Sequence, residues 1–459
     1  MLNRIVHLYD DREYFRNVFR IAWPITIQQL AFAGLNMLGV VFVGQKGETS
    51  VAAVGLAGQL AFLLNLVHFG IISGAAMFTA QFWGKQDVPN LRRVLGLCLL
   101  LAVLSSLIFL GLAQTIPETI LRVYSEDESV IALGTEYIRT FSWTFLFFGI
   151  TFSFAMVLRS TGDVKTPTVA GVSALLLSTL LSYGLIFGNF GLPELGVPGA
   201  AVAAVIARAI ECAALLTVIY VRKSPVAASI RELFDFDLVF IGKIINPMLP
   251  VILNELLWSL GITTYNIIYG RMSTGSIATM NIVSSVEQVA FVIFMGISNA
   301  TSVLVGNRIG AGKEEEAQLY AGRSLGLGIS GGLVMGLILQ LLKVPILSLY
   351  HVSPEVIQNA DHVINVVSIF LWIRVNNMTI VVGILRAGGD TKYSMFLDGM
   401  IIWLVGVPLA ALGAFVFHFP VHLVYLCAMS EEVAKWYLGI RRWRSRKWIN
   451  NLALSTLNS

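Results

Sequence analysis

The chain has 459 residues, 56% of them hydrophobic and only 13% charged, with a mean hydropathy of +0.77. A soluble domain is about one-quarter charged, so this composition cannot dress a water-facing surface and the solvent for most of the chain is lipid. The formal net charge is +4. The basic residues are explained as topology anchors at membrane boundaries, and nucleic-acid binding is not needed to account for them.

In chain order, residues 1–20 read as an amphipathic cytoplasmic segment bearing Arg4, Arg12, Arg16 and Arg20, without the apolar core and cleavage site of a removed signal peptide. Twelve apolar segments follow: 17–42, 51–81, 94–117, 130–159, 167–190, 197–222, 243–270, 276–306, 320–346, 357–385, 394–416 and 419–440. Each is long enough to cross a bilayer as a helix, the one open structure that satisfies its own backbone there. Residues 21–222 form a first six-helix half, 223–242 a cytoplasmic linker with an amphipathic stretch from Ile230 to Phe240, and 243–443 a second half. Residues 444–459 form a cytoplasmic tail, expected to be mobile beyond Trp448. Most of the 31 Lys and Arg, from Lys85, Arg92 and Arg93 to Lys435 and the Arg441–Lys447 run, fall on the side of the N-terminus if the segments alternate. The expected placement is a multi-pass protein of the cell (inner) membrane with both termini cytoplasmic. Cys98, Cys212 and Cys427 lie inside apolar segments and read as packing residues.

The two halves repeat. Leu158-Arg159-Ser160-Thr161-Gly162-Asp163-Val164-Lys165 returns as Leu385-Arg386-Ala387-Gly388-Gly389-Asp390-Thr391-Lys392, an offset of 227. Pro24, Gly44, Gly70 and Gly84 return as Pro250, Gly270, Gly296 and Gly310, an offset of 226. Six is even, so the repeats insert in the same sense. The expected fold is an all-α polytopic membrane protein, twelve transmembrane helices in two parallel six-helix repeats or lobes, as in many secondary transporters.

Several polar residues stand inside these segments. Glu255 lies mid-depth in the seventh, with Ser259 and Asn266 near the same face and Thr263 at its edge. An intramembrane carboxylate is a functional hypothesis by default. The 226 offset maps it to Gln29, which shares a face with Asn36 in the first segment. Glu287 in the eighth, with Asn281, Ser285 and Gln288 nearby, either binds a cationic substrate or pairs with Arg374, which itself needs an anion. Arg208 and Glu211, three apart, are expected to pair. His68 reads as a hydrogen-bonded core residue, and Asp398 as hydrated near the cytoplasmic end. In the repeated loops, Arg159 and Arg386 suit a helix C-terminus, Gly162 and Gly389 a permissive turn, and Asp163 and Asp390 a cap for the next helix. No phosphate-binding loop, Cys/His cluster or Ser-His-Asp set is legible, so neither an enzyme nor a cofactor is implied, and energy must come from an ion gradient.

Taken together, Trp23-Pro24, Val41-Phe42-Val43-Gly44, the paired Leu-Arg-x-x-Gly-Asp loops, Gly196-Val197-Pro198-Gly199-Ala200-Ala201 and Pro250 with Glu255 resemble the multidrug and toxic compound extrusion (MATE) family over about residues 15–448. The resemblance implies two lobes around a central cavity and export of organic cations in exchange for sodium ions or protons. It also implies that Glu255 belongs to a cation site. Other acids common in the family are missing: Gly39 replaces an Asp in the first segment, Ser178 and Ser182 stand for an Asn and Asp in the fifth, and Val375, Asn376 and Asn377 occupy the place of an Asp in the tenth. Coupling is therefore expected in the second half, at Glu255 with Ser259 and Asn266 and neutral oxygens around it, with any sodium near Glu255. The substrate cavity is expected to use Glu287, Asn281, Gln288, Gln29, Asn36, Asn376 and Asn377. The expected function is a monomeric secondary antiporter for amphipathic or cationic compounds. The alternative is a flippase for a lipid-linked saccharide precursor, which would want several cavity cations.

Overall fold

The computed structural model describes residues 11–350 and 352–455 and is helical nearly throughout. We number the long helices α1 (Arg12–Gly44), α2 (Glu48–Gly84), α3 (Val88–Thr115), α4 (Glu128–Phe141 with Thr144–Ser160), α5 (Lys165–Phe187), α6 (Val197–Val221), α7 (Leu238–Met272), α8 (Thr274–Gly310), α9 (Glu314–Leu347), α10 (Pro354–Arg386), α11 (Thr391–Phe415) and α12 (Val421–Arg444). Ten of them are long and apolar enough to cross a membrane, and eleven with α4, whose two parts meet at 45°. The twelfth, α12, is less apolar because it carries Glu431, Glu432 and Lys435 along its length. The chain is thus an all-α polytopic membrane protein with six helices in each half.

Local chemistry sets the helix limits. Asp87 accepts the Asn90 N–H at the start of α3, Asp127 accepts those of Ser129 and Val130 at the start of α4, and Ser353 accepts that of Val356 before α10. Gly188, at φ +70°, closes α5 in the left-handed conformation. The α10 end, Thr379–Arg386, and parts of α11, Met395–Met400 and Ile402–Gly406, widen into π-helical turns. Such turns rotate side chains out of register and collect at functional sites. Here they carry Arg386 and Asp398.

The chain folds as two compact units, whose borders cut α1, α2 and α7. One holds the chain up to Thr26, Ala80–Gln86 and everything from Ile245; the other holds Ile27–Thr79 and Asp87–Ile244. In the first of these units the ends of α2 and α8 cross at equivalent positions. A Cβ on Gly84 would strike the Asn307 carbonyl, and one on Gly310 would strike that of Gln81; residues 81 and 307, like 84 and 310, differ by the 226 offset. At the start of α1, the Tyr14 hydroxyl and Ser324 Oγ are 2.5 Å apart, and Arg323 reaches Asp11 at 2.6 Å. The Tyr14 backbone N–H, with Arg323 beside it, holds the Asp11 carboxyl below the usual carboxylate range.

Two expectations are corrected here. The tail beyond Trp448 is docked as far as it is described. Trp448 is fully buried against Gly388, the Asn450 N–H donates to the Gly388 carbonyl at 2.9 Å, Leu452 N–H donates to Gln81 at 2.7 Å and Asn451 to the Ile309 carbonyl at 2.8 Å. Asp390 does not cap α11 either, because Arg442 takes its carboxylate at 2.6 Å. The first-half loop behaves as expected, with Asp163 accepting the Thr166 N–H at 3.1 Å. In the other unit, the linker's Glu232 and Asp235 each pair with an arginine of α3, Arg92 and Arg93, at 2.5 Å.

Candidate functional site: buried charges in the two halves

Glu255 projects from α7 and is 9% exposed. Arg386, at the widened end of α10, turns inward and meets it at 2.7 Å. The loop arginine therefore does not stay at the helix terminus to complement the dipole. It pairs with the acid expected at the cation site. Ser259 and Asn266 lie on α7 without a hydrogen bond to Glu255 among the described residues, and Asn266 is exposed. Among the described residues, the side chain that meets Glu255 is the Arg386 guanidinium.

Other buried charges of this half form two groups, one around Arg374 and one around Lys435. Arg374 of α10 reaches Glu287 of α8 at 2.5 Å, and Tyr425 of α12 also donates to Glu287; pairing was one of the two expectations for this acid. Arg374 also lies 4.0 Å from Glu432, whose carboxylate accepts the Asn377 amide at 2.7 Å. Lys435, only 2% exposed, bridges Glu431 at 3.3 Å and Asp398 at 3.4 Å. Tyr265 donates to Glu431 at 2.9 Å and Asn254 to Asp398 at 3.0 Å. Asp398 is thus tied into the helix packing rather than hydrated at an end, and Lys435 is a core residue rather than a boundary anchor. Asn376 is buried with its amide on the Trp372 carbonyl. Asn281 and Gln288 are exposed on α8 and stand outside both groups.

Across α7, α8, α10, α11 and α12 five carboxylates, Glu255, Glu287, Asp398, Glu431 and Glu432, face three cations, Arg374, Arg386 and Lys435. An uncompensated charge in a low-dielectric interior costs several kcal/mol. An excess of two carboxylates is met either by bound protons or by further positive charge.

The first half holds a smaller set. Arg159, from the equivalent loop, turns inward to the Gln28 side-chain oxygen at 2.8 Å. Arg208 pairs with Glu211 at 2.7 Å, as the spacing predicts. A Cβ on Gly171 would lie 2.7 Å from Gln28 and 3.5 Å from Glu211, so the glycine lets the two approach. His68 is fully buried, with its Nε2 3.2 Å from both the Ala102 carbonyl and Ser106 Oγ. Two cations here face one acid, the opposite balance. Gln29 is half-buried, and Asn36, on the same helix, is exposed.

Sequence reasoning missed Glu431 and Glu432 and misplaced Lys435 and Asp398. The signal was present: Glu431 and Lys435 stand four apart within an otherwise apolar segment, the spacing of a local pair on one helix face.

A duplicated, multi-pass helical fold with charges buried in its apolar core is a plan that membrane transporters use. The MatE family profile matches the chain twice, over residues 24–184 and 250–412, and the chain belongs to this family, the MATE transporters of the multidrug efflux class. It is 24% identical over 439 residues to the uncharacterized transporter YisQ of Bacillus subtilis (strain 168), covering 94% of this chain and 95% of that protein. It is 28% identical over 410 residues to the probable multidrug resistance protein NorM of Rhizobium meliloti (strain 1021), covering 86% and 85%. The fold is similar to that of the Vibrio cholerae MATE transporter VcmN in its bent form, with a TM-score of 0.85 at 18% identity over 95% and 99% of the two chains. It is also similar to a MOP superfamily transporter from Pyrococcus furiosus described by the reverse polarity of its binding pocket, with a TM-score of 0.84 at 18% identity over 96% of each chain.

Proposed function

We propose that this transporter is a monomeric secondary antiporter of the cell membrane, with both termini cytoplasmic, that exports amphipathic and cationic organic compounds in exchange for protons. The observation that carries the reading is the excess of two buried carboxylates in the second half. Glu255 is the exchange group. In one state it holds Arg386 at 2.7 Å; a proton on the carboxylate removes that attraction and releases the guanidinium. A bound proton and the Arg386 contact therefore exclude one another, and a gradient acting on one acts on the other. Glu287 is the acid that a cationic substrate would take over from Arg374, with Asn281 and Gln288, exposed on the same helix, as further polar contacts.

Protons are favoured over sodium for a geometric reason. Sodium wants about five or six oxygens around one point. The carboxylates here already accept from Arg386, Arg374, Lys435, Asn254, Asn377 and tyrosine hydroxyls, whereas a proton needs only one oxygen. The flippase reading is weaker, because it wants an excess of cations where this core has an excess of acids.

The test is export of a lipophilic cationic dye from proteoliposomes under a pH gradient alone and a sodium gradient alone. The expected result is export under the pH gradient and none under sodium. Equal export under sodium alone would replace the proton with a sodium cage. Export that survives Glu255→Gln would move the exchange to Glu287 or the Glu431–Asp398 group. Topology is checked separately: a cysteine replacing Ser224 should resist labelling from outside intact cells.

A further inference from the structure

In the first half, the antiparallel helices α5 and α6 enclose a groove of about 470 Å³, within the range of small-molecule sites. We propose that it binds an anionic phospholipid, with the headgroup on Lys165 and Arg222 and an acyl chain along the helices.

Lys165 opens α5 and Arg222 follows the last residue of α6, so antiparallel packing brings both to the same end of the groove. Both are exposed, and among the described residues neither side chain has a hydrogen-bond or ion-pair partner. Several other cations of this half are engaged, Arg92 and Arg93 by the linker, Arg122 by Glu128, Lys46 by Glu194 and Arg208 by Glu211, and the exposed Arg139, Lys223 and Arg231 do not line the groove. The acid nearest the mouth, Asp163, is occupied by the Thr166 N–H and hydroxyl, the latter at 2.7 Å. Two free cations converging on one opening are matched by a phosphate.

The body of the groove is apolar and narrow-walled, because small residues, Ala170 and Ser173 on α5 and Ala214 on α6, line it. It ends at Leu177 and Ile210, where the one ionised group, Glu211, is already held by Arg208 and offers no net charge to repel a chain. Val169 and Ile210 beside it are 65% and 49% exposed, the surface that acyl chains cover in a bilayer. From residue 165 to 177 the helix rises about 18 Å. One leaflet of a hydrocarbon core of about 30 Å is about 15 Å deep. A lipid with its headgroup at Lys165 and Arg222 therefore lies with one chain along the groove, within its own leaflet. A headgroup anion free in water would use the mouth and leave the apolar length empty.

The experiment is native mass spectrometry of the full-length protein equilibrated with equal amounts of dioleoyl phosphatidylglycerol and dioleoyl phosphatidylcholine. The expected result is preferential retention of phosphatidylglycerol, on the order of fivefold for each cation engaged. Lys165→Gln with Arg222→Gln should abolish the preference, and Ala214→Phe, which fills the groove and keeps both charges, should lower retention as well. Arg139→Gln with Arg231→Gln, exposed cations outside the groove, should change neither. The proposal is overturned by equal retention of the two lipids by the unmodified protein. It is also overturned by a preference that survives the double substitution or the Ala214→Phe block, or by displacement of the lipid by glycerol phosphate alone.

Discussion

The two halves place an arginine in the same way and give it different partners. Arg159 and Arg386 stand at the same position of the repeated loop, and both turn inward, to Gln28 at 2.8 Å and to Glu255 at 2.7 Å. Residues 28 and 255 differ by 227, as do 159 and 386. The duplicated frame thus delivers a guanidinium to one spot on the first helix of each half. One side chain then decides whether that spot is a neutral hydrogen bond or an ion pair. Around these spots the balances diverge, two cations to one acid in the first half and three cations to five acids in the second. Shared geometry and local charge are therefore separable: the repeat sets the frame, and individual side chains set the charge on it.

The largest effect is expected from Glu255→Gln, which copies the first-half pair into the second half. Because the amide–guanidinium contact already exists at Gln28–Arg159, the fold should tolerate it, while gradient-driven dye export falls to the protein-free background in proteoliposomes. Export at the unmodified rate would show that the two spots are equivalent. Next in size is Lys435→Met against Arg208→Met. Removing Lys435 raises the uncompensated acids of the second half from two to three and should lower stability by about 3–5 kcal/mol. Removing Arg208 leaves Arg159 and Glu211 in balance and should cost less; thermal unfolding in detergent at neutral pH orders the two, and a larger loss for Arg208→Met would contradict the charge balances drawn here.

The loops differ in their cover as well. The second-half loop carries Trp448 packed on Gly388, and Asp163 of the first-half loop bonds only its own helix start. Trp448→Ala should cost up to about 3 kcal/mol, at the low end of large-to-small substitutions in a core, and should speed proteolysis of the tail; an unchanged melting temperature would mean that the tail does not stay docked. The smallest effect is expected from Gln28→Glu, which copies the second-half pair into the first. A charge-assisted bond exceeds a neutral one by about 1 kcal/mol, so stability should rise slightly with export unchanged. A gain of a second coupled proton per dye would instead make position 28 a coupling site in waiting.

Much of the fold was legible because the membrane imposes its own code. Apolar length fixed eleven of the helices, and the repeat tied the halves together residue by residue. α12 was legible too, but its charges were read as boundary anchors, since a lysine near a helix end and a lysine in a core look alike in one dimension. Glu255 stood out as an acid inside an apolar run. Its partner did not: Arg386 sits 131 positions away in a loop whose local chemistry, a helix end followed by a left-handed glycine, explains an arginine without any reference to Glu255. The offset was also ambiguous by one residue. At 226 the counterpart of Glu255 is Gln29, at 227 it is Gln28, and the side chain that meets the loop arginine is Gln28.

The sequence by itself determined the class of molecule, because composition, segment length and duplication are properties of the chain read in order, and lipid tolerates few solutions to them. Tertiary structure decided which charges meet. Whether Lys435 reaches Asp398, whether Asp390 caps a helix or holds Arg442, and whether the tail is loose or pinned by Gln81 and Gly388 all depend on contacts between residues tens to hundreds of positions apart. In a low-dielectric interior a buried charge is stable only beside its partner, and that partner is chosen by packing in three dimensions.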